Sequence, residues 1–137
     1  MPRKQIKDFD EVLRRELERV SAAPISQKDR RAIRRFAHDM LSRGNKPSYV
    51  YSEISRLRVL RRRLGKDFGK VTEPDLRRLF LEMDRQYSPK SMLSYKKLAR
   101  LFWTWLRPAK PTVDNPYRLP KEVLWIAVMS RFPWKKR

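Results

Sequence analysis

Apolar side chains recur along this chain with the period of an α-helix, and five stretches of that kind follow one another. Phe9, Val12, Leu13, Leu17 and Val20 share one face of a first predicted helix, from about Asp8 to Val20, with charges on the other face. Such a stripe is buried while the rest stays in water. Ser21-Ala22-Ala23-Pro24 ends it. Ser26 then offers an N-cap, and Asp29 stands at the capping-box position. The second helix continues to Arg43 with Ile33, Phe36, Ala37, Met40 and Leu41 on one stripe, and Gly44 is its stop. Asn45-Lys46-Pro47-Ser48 opens a third helix to about Leu64, whose inward stripe is Val50, Ile54, Leu57 and Leu64, and Gly65 stops it.

Lys66 to Val71 reads as a loop, after which Thr72 caps a fourth helix with Asp75 three residues on. That helix buries Leu76, Leu79, Phe80 and Met83. Ser88-Pro89 opens a fifth, Pro89 to about Leu106, which packs Tyr95, Leu98, Ala99, Phe102 and Leu106; proline is pre-organised for a first helical turn. The third and fifth helices open alike in sequence, with a small polar cap, a Pro, a Lys and a Ser one turn inside. No strand alternation occurs, so the predicted fold is all-α. It is a compact bundle of four helices in two hairpins, with an extra N-terminal helix and a C-terminal extension. The divisions are 1–25 for the first helix, 26–107 for the helical domain and 108–137 for the extension. That extension comprises a linker with Pro108, Pro111, Pro116 and Pro120, a short amphipathic piece from Lys121 to Met129, and the basic tail Pro133-Trp134-Lys135-Lys136-Arg137.

Composition changes this picture mainly through charge. Among 137 residues, 35 Lys and Arg stand against 15 Asp and Glu, a formal net charge of +20. An excess of that size repels itself in a compact state and attracts a polyanion. Hydrophobic residues still make up 40%, enough for a core, so a folded domain with a basic surface is expected. There is no cysteine, which excludes disulfides and thiolate metal sites. No apolar run reaches the roughly 20 residues of a membrane span, and Met1-Pro2-Arg3-Lys4 does not open a signal peptide. The expected location is therefore the cytoplasm, with the nucleoid.

The candidate chemistry lies at two helix beginnings. On the third helix Lys46, Ser48, Tyr49, Ser52, Ser55 and Arg56 fall off the apolar stripe. On the fifth Lys90, Ser94, Lys97 and Arg100 do the same, with Ser91 and Lys96 beside them. Short hydroxyls allow a helix to approach a nucleic-acid backbone, cations neutralise phosphates, and helix N-termini favour anions. The plain alternative is a pair of solvated helix faces. Most cations elsewhere, including Arg30-Arg31, Arg34-Arg35 and Arg61-Arg62-Arg63, read as solubilising surface. Trp103, Trp105, Trp125 and Trp134 have the chemistry to stack on bases, but indoles at helical spacing more often pack.

Other chemistries find little support. His38 is the only histidine and has no ligand partners in sequence. Glu11, Glu16 and Glu18 lie among arginines, which reads as ion pairing along a surface helix. Gly65-Lys66-Asp67-Phe68-Gly69-Lys70 lacks the spacing of a phosphate-binding loop. Neither a cofactor nor a metal site is expected, nor a small-molecule substrate.

From about Gln27 to Leu106 the chain resembles the N-terminal, SAM-like core-binding domain of the tyrosine recombinases, the phage-type integrases, and most of all the archaeal ones. The residues that carry this are Phe36 and Met40, Gly44, Leu57 through Leu64-Gly65-Lys66-Asp67-Phe68, and Val71-Thr72 with Asp75-Leu76. Most diagnostic is Tyr87-Ser88-Pro89-Lys90-Ser91 followed by Tyr95-Lys96 and Phe102-Trp103, with Trp105-Leu106. Lys121-Glu122-Val123 with Trp125-Ile126 is similar to the segment joining that domain to the catalytic one.

The resemblance implies four helices forming half of a clamp around duplex DNA, the second and fourth docking near the major groove. Those are the third and fifth helices of this chain. The family's catalytic Arg, Lys, His-x-x-Arg element and nucleophilic Tyr belong to a further domain that has no counterpart here. His38 is followed by Asp39-Met40-Leu41. The expected function is thus site-preferring duplex-DNA binding without catalysis, as an accessory or regulatory factor in recombination or integration of a mobile element. A recombinase or a second copy is the candidate protein partner. The alternative is a basic helical RNA-binding protein, for instance a ribosome-associated one.

Overall fold

A computed structural model describes residues 8–106. The described chain is all-helical. Its elements are α1 (Phe9–Ala22), α2 (Gln27–Ser42), α3 (Pro47–Leu64), a 3₁₀ turn (Phe68–Lys70), α4 (Glu73–Met83) and α5 (Pro89–Leu106). Residues 1–7 and 107–137, with the linker, short amphipathic piece and basic tail read from sequence, lie outside the described residues. The chain divides into two compact units, Met1–Arg62 and Arg63–Arg137, and the division falls within α3.

In the first unit local hydrogen bonds set the helix limits. The Asp8 carboxylate accepts from the Asp10 and Glu11 amides at 3.1 and 3.3 Å and starts α1. Ser26 Oγ accepts from the Asp29 amide at 3.2 Å and starts α2. At the end of α2 Gly44 takes φ +93, the Gly44 amide donates to Leu41 O, and the Asn45 amide donates to Met40 O. This double closure satisfies carbonyls that have no partner within the helix. The Asn45 side-chain amide also donates to Met40 O, at 3.0 Å. Asn45 therefore finishes α2 and does not cap α3. The two helix openings are less alike than their sequences suggest, because only α5 has a side-chain cap. There Ser88 Oγ accepts from the Ser91 amide at 3.1 Å.

The buried apolar positions of this unit are Leu13, Val20, Ile33, Phe36, Ala37, Met40, Val50, Ile54, Leu57 and Leu60. Leu60 replaces the expected Leu64, which is half-buried at the end of α3. Three carboxylates, Glu16, Asp29 and Glu53, are buried with them. Glu16 is 1% exposed, on the same face of α1 as Leu13 and Val20, and does not belong to a surface row as its sequence neighbours imply. Arg58 Nε of α3 lies 2.5 Å from it and Arg19 lies 3.0 Å away. Asp29 is 2% exposed and bonds Arg61 Nε at 2.6 Å, so Arg61 is no part of the solubilising surface. Arg30 reaches back to the Ala23 carbonyl at 2.8 Å and ties the α1–α2 connection to α2. Charges withdrawn from water hold their place only when paired this closely.

The second unit buries Phe68, Val71, Leu76, Leu79, Phe80, Met83, Met92, Tyr95, Leu98, Ala99, Phe102 and Trp103. The stretch read as a loop contributes one of the best-buried residues. Phe68 packs edge-on against Phe102 and Trp103, with ring centroids 4.6 and 5.7 Å apart, and its carbonyl accepts from Trp103 Nε1 at 3.1 Å. The 3₁₀ turn is what aims that carbonyl inward. α4 starts with a full capping box between Thr72 and Asp75, whose carboxylate accepts from the Thr72 amide at 2.9 Å. Tyr87, after α4, meets Tyr95 of α5 at 5.3 Å.

Arg61→Met should destabilise the chain by roughly 3–5 kcal/mol, because it removes the guanidinium that pairs the buried Asp29 carboxylate. Asp29→Leu combined with Arg61→Met should recover most of that loss. Urea unfolding followed by circular dichroism measures both, and equal destabilisation in the single and double variants would show that packing, not charge pairing, is at stake.

Candidate nucleic-acid interface

The excess charge is unevenly shared among the helices. α1 and α4 each carry more acids than bases, and these pair along the helix surface. In α1 Arg14 is bonded by Glu11 and Glu18, and Arg15 Nε lies 3.0 Å from Glu11. The Arg14 guanidinium holds the Glu11 carboxyl down to about 2, with Arg15 assisting and slight burial opposing. In α4 Arg77 is bonded by Glu73, and Asp75 takes Lys66 at 3.1 Å. The contrast is with α3, where Glu53 is the only acid, and with α5, which has none at all.

On α3, Tyr49, Ser52 and Arg56 fall on one stripe at i, i+3 and i+7. Tyr49 is 44% exposed, the highest among the large apolar-bodied residues of this helix. Lys46, just before the helix, is exposed, and Ser48 is half-buried. Ser52 Oγ donates to Ser48 O at 3.2 Å, so this hydroxyl is engaged by its own helix. Arg56 is half-buried, and its Nη1 donates to Glu53 Oε2 at 2.9 Å. Glu53 itself is 7% exposed. Burial pushes the Glu53 carboxyl above the usual carboxylate range, and Arg56 only partly offsets this. The Tyr49 phenol is likewise raised, first by burial and then by the Glu53 charge.

On α5, Lys90, Ser94 and Lys97 form a second stripe that Arg100 continues. Lys90, Lys97 and Arg100 are exposed and make no ion pair with a described residue, while Ser91 and Ser94 are half-buried. Ser94 Oγ lies 3.5 Å from Lys90 O, and Ser88 Oγ donates to Ser91 Oγ at 3.2 Å. Lys96 departs from the stripe. Its side chain is 16% exposed and its Nζ lies 3.7 Å from Asp84 after α4. Ser52 and Ser94 thus turn their hydroxyls onto the backbone of their own helices, beside exposed Lys46 at the start of α3 and exposed Lys90, Lys97 and Arg100 on α5.

Glu53 carries no signal in the sequence that separates it from a surface acid. As the lone acid of α3, three residues before Arg56, it was visible there, but its burial was not.

Among the described residues no group of three or more His, Cys, Asp or Glu could hold a metal ion, and no helix is long and apolar enough to cross a membrane. His38 is exposed on α2. A surface depression of about 130 Å³ is lined by Arg63, Lys66, Asp75, Arg78 and Glu82 among others, charges that already pair with one another. No family model, curated protein or solved structure matches the chain.

The raised Glu53 carboxyl has a definite linkage sign. A folded-state pKa above the unfolded one contributes stability below the unfolded value, and that contribution is lost as pH rises through the folded value. Glu53→Gln should therefore gain stability relative to wild type as pH rises from about 4, near the ordinary carboxylate value, towards about 7. Urea titrations at both pH values test this; a gap that narrows towards pH 7 would contradict the burial assigned to Glu53.

Proposed function

We propose that this chain binds duplex DNA through the solvent faces of α3 and α5 and does not itself cleave it. The role is that of the core-binding half of a tyrosine-recombinase clamp, acting as an accessory or regulatory factor in recombination within the cytoplasm. One observation carries the reading. The exposed stripe Lys90, Lys97 and Arg100 stands on a helix with no acid, beside Ser94, whose hydroxyl is turned back on the helix. Phosphates supply the counter-charge that the helix lacks. The resemblance of the Tyr87-Ser88-Pro89-Lys90-Ser91 region to the recombinase domain supports the same helix as a docking element.

The proposal gives a quantitative expectation. Duplex affinity should fall linearly on a log–log plot against salt, with a slope of about −0.9 per phosphate contact. Lys90→Glu with Lys97→Glu should weaken binding at every salt concentration and reduce the slope by about two, leaving the helical circular-dichroism signal intact. Fluorescence anisotropy on a duplex of about two helical turns, between about 50 and 200 mM salt, reads both quantities. Unchanged binding by the double variant would remove α5 from the interface. A preference for structured RNA over duplex DNA at equal salt would replace the proposal with the RNA-binding alternative.

A further inference from the structure

The two stripes differ in how their cations are held, and the difference bears on what each one reads. Lys90, Lys97 and Arg100 of α5 project into solvent with no described acid to orient them. A swinging cation suits a phosphate, which accepts from many directions and carries no sequence information. Arg56 of α3 is held instead. Its Nη1 is fixed at 2.9 Å by a carboxylate one helical turn earlier, and that carboxylate is itself buried. With Nη1 occupied, the Nε and Nη2 edge makes no bond to a described residue. That edge presents two parallel donors, the pair that matches O6 and N7 of guanine in a major groove.

Resting on the duplex-binding reading above, we propose that Arg56 reads a guanine in the major groove and that Glu53 is its positioning residue. Three features of α3 support this division of labour. Ser52 lies on the same stripe and folds its hydroxyl onto Ser48 O, so the surface beside Arg56 is low enough for a base edge to approach. Tyr49 stands exposed one turn further along the stripe and adds a flat apolar wall. Finally, a negative charge on a surface meant for a polyanion is unfavourable unless it is kept out of contact. Glu53 satisfies that condition by burial, and at a cost to the fold: its carboxyl sits above its ordinary range because Arg56 does not fully offset the desolvation. A buried acid that costs the fold stability yet fixes a guanidinium is better explained by what the guanidinium must do.

The test is selection from a pool of duplexes with a randomised centre, using wild type, Arg56→Lys and Glu53→Gln, each first checked by unfolding curves. Wild type should prefer guanine at one position by about tenfold or more. Arg56→Lys keeps the charge but not the planar fork. It should retain binding to unselected duplex while its guanine preference falls to within about twofold, since a bidentate pair accounts for the discrimination. Glu53→Gln should give an intermediate preference with an unchanged salt slope, a combination that loss of fold stability alone does not produce. A wild-type guanine preference surviving in either variant overturns the assignment. So does a wild type that binds duplex with no base preference, an outcome that leaves the duplex-binding reading standing. Absence of any duplex binding removes both.

Discussion

Folding a chain of net charge +20 requires that its few carboxylates act where they count most, and that constraint shapes everything else in the molecule. Glu16 and Asp29 are withdrawn almost completely from water and each meets an arginine of α3. Such pairs contribute little net stability against an apolar replacement, but removing one partner is severe, so they specify which face of α3 turns inward. Arg58 and Arg61 can occupy those positions only if the stripe of Val50, Ile54, Leu57 and Leu60 is buried beside them. The same rotation turns Tyr49 out to solvent and leaves Arg56 half-buried. The orientation of the candidate reading surface on α3 thus follows from two ion pairs that lie outside it.

Much of the fold was legible in the amino-acid sequence because its signals are local. The stops at Gly44 and Gly65, the caps at Ser26, Thr72 and Ser88, and the helical period of the apolar residues depend on neighbours within a turn or two. What escaped were pairings over long separations. Glu16 reads as a surface residue because its sequence neighbours are arginines, and only Arg58, distant in sequence, explains its burial. Phe68 lies in a segment without helical period, and its place against Trp103 is set by a ring contact and one carbonyl. Asn45 looks like a cap for the helix that follows, but its amide finds the nearer carbonyl of Met40. In the candidate site, the exposed lysines of α5 were readable from register alone. The diversion of Lys96 to Asp84 and the burial of Glu53 needed three dimensions.

α1 and α5 together supply the strongest argument that the exposed charge has an external purpose. α1 shows how this chain builds a surface that only has to be soluble. Its arginines and glutamates alternate at one-turn spacing, and every exposed arginine of that helix has a carboxylate within reach. Pairs of this kind contribute only tenths of a kcal/mol each, but they remove repulsion at no structural expense. α5, 18 residues long against 14 for α1, places Lys90, Lys97 and Arg100 on its exposed face without one acid. Left in water, that stripe adds to the self-repulsion of an already basic protein. Alternation was available, as α1 demonstrates, and would have been the more stable choice. Under the duplex-binding proposal, anions from outside the chain offset that repulsion by lying along the helix, spaced so that cations two and three turns apart can meet them together. A polyanion with a regular backbone provides that spacing, and a scattered set of small anions does not.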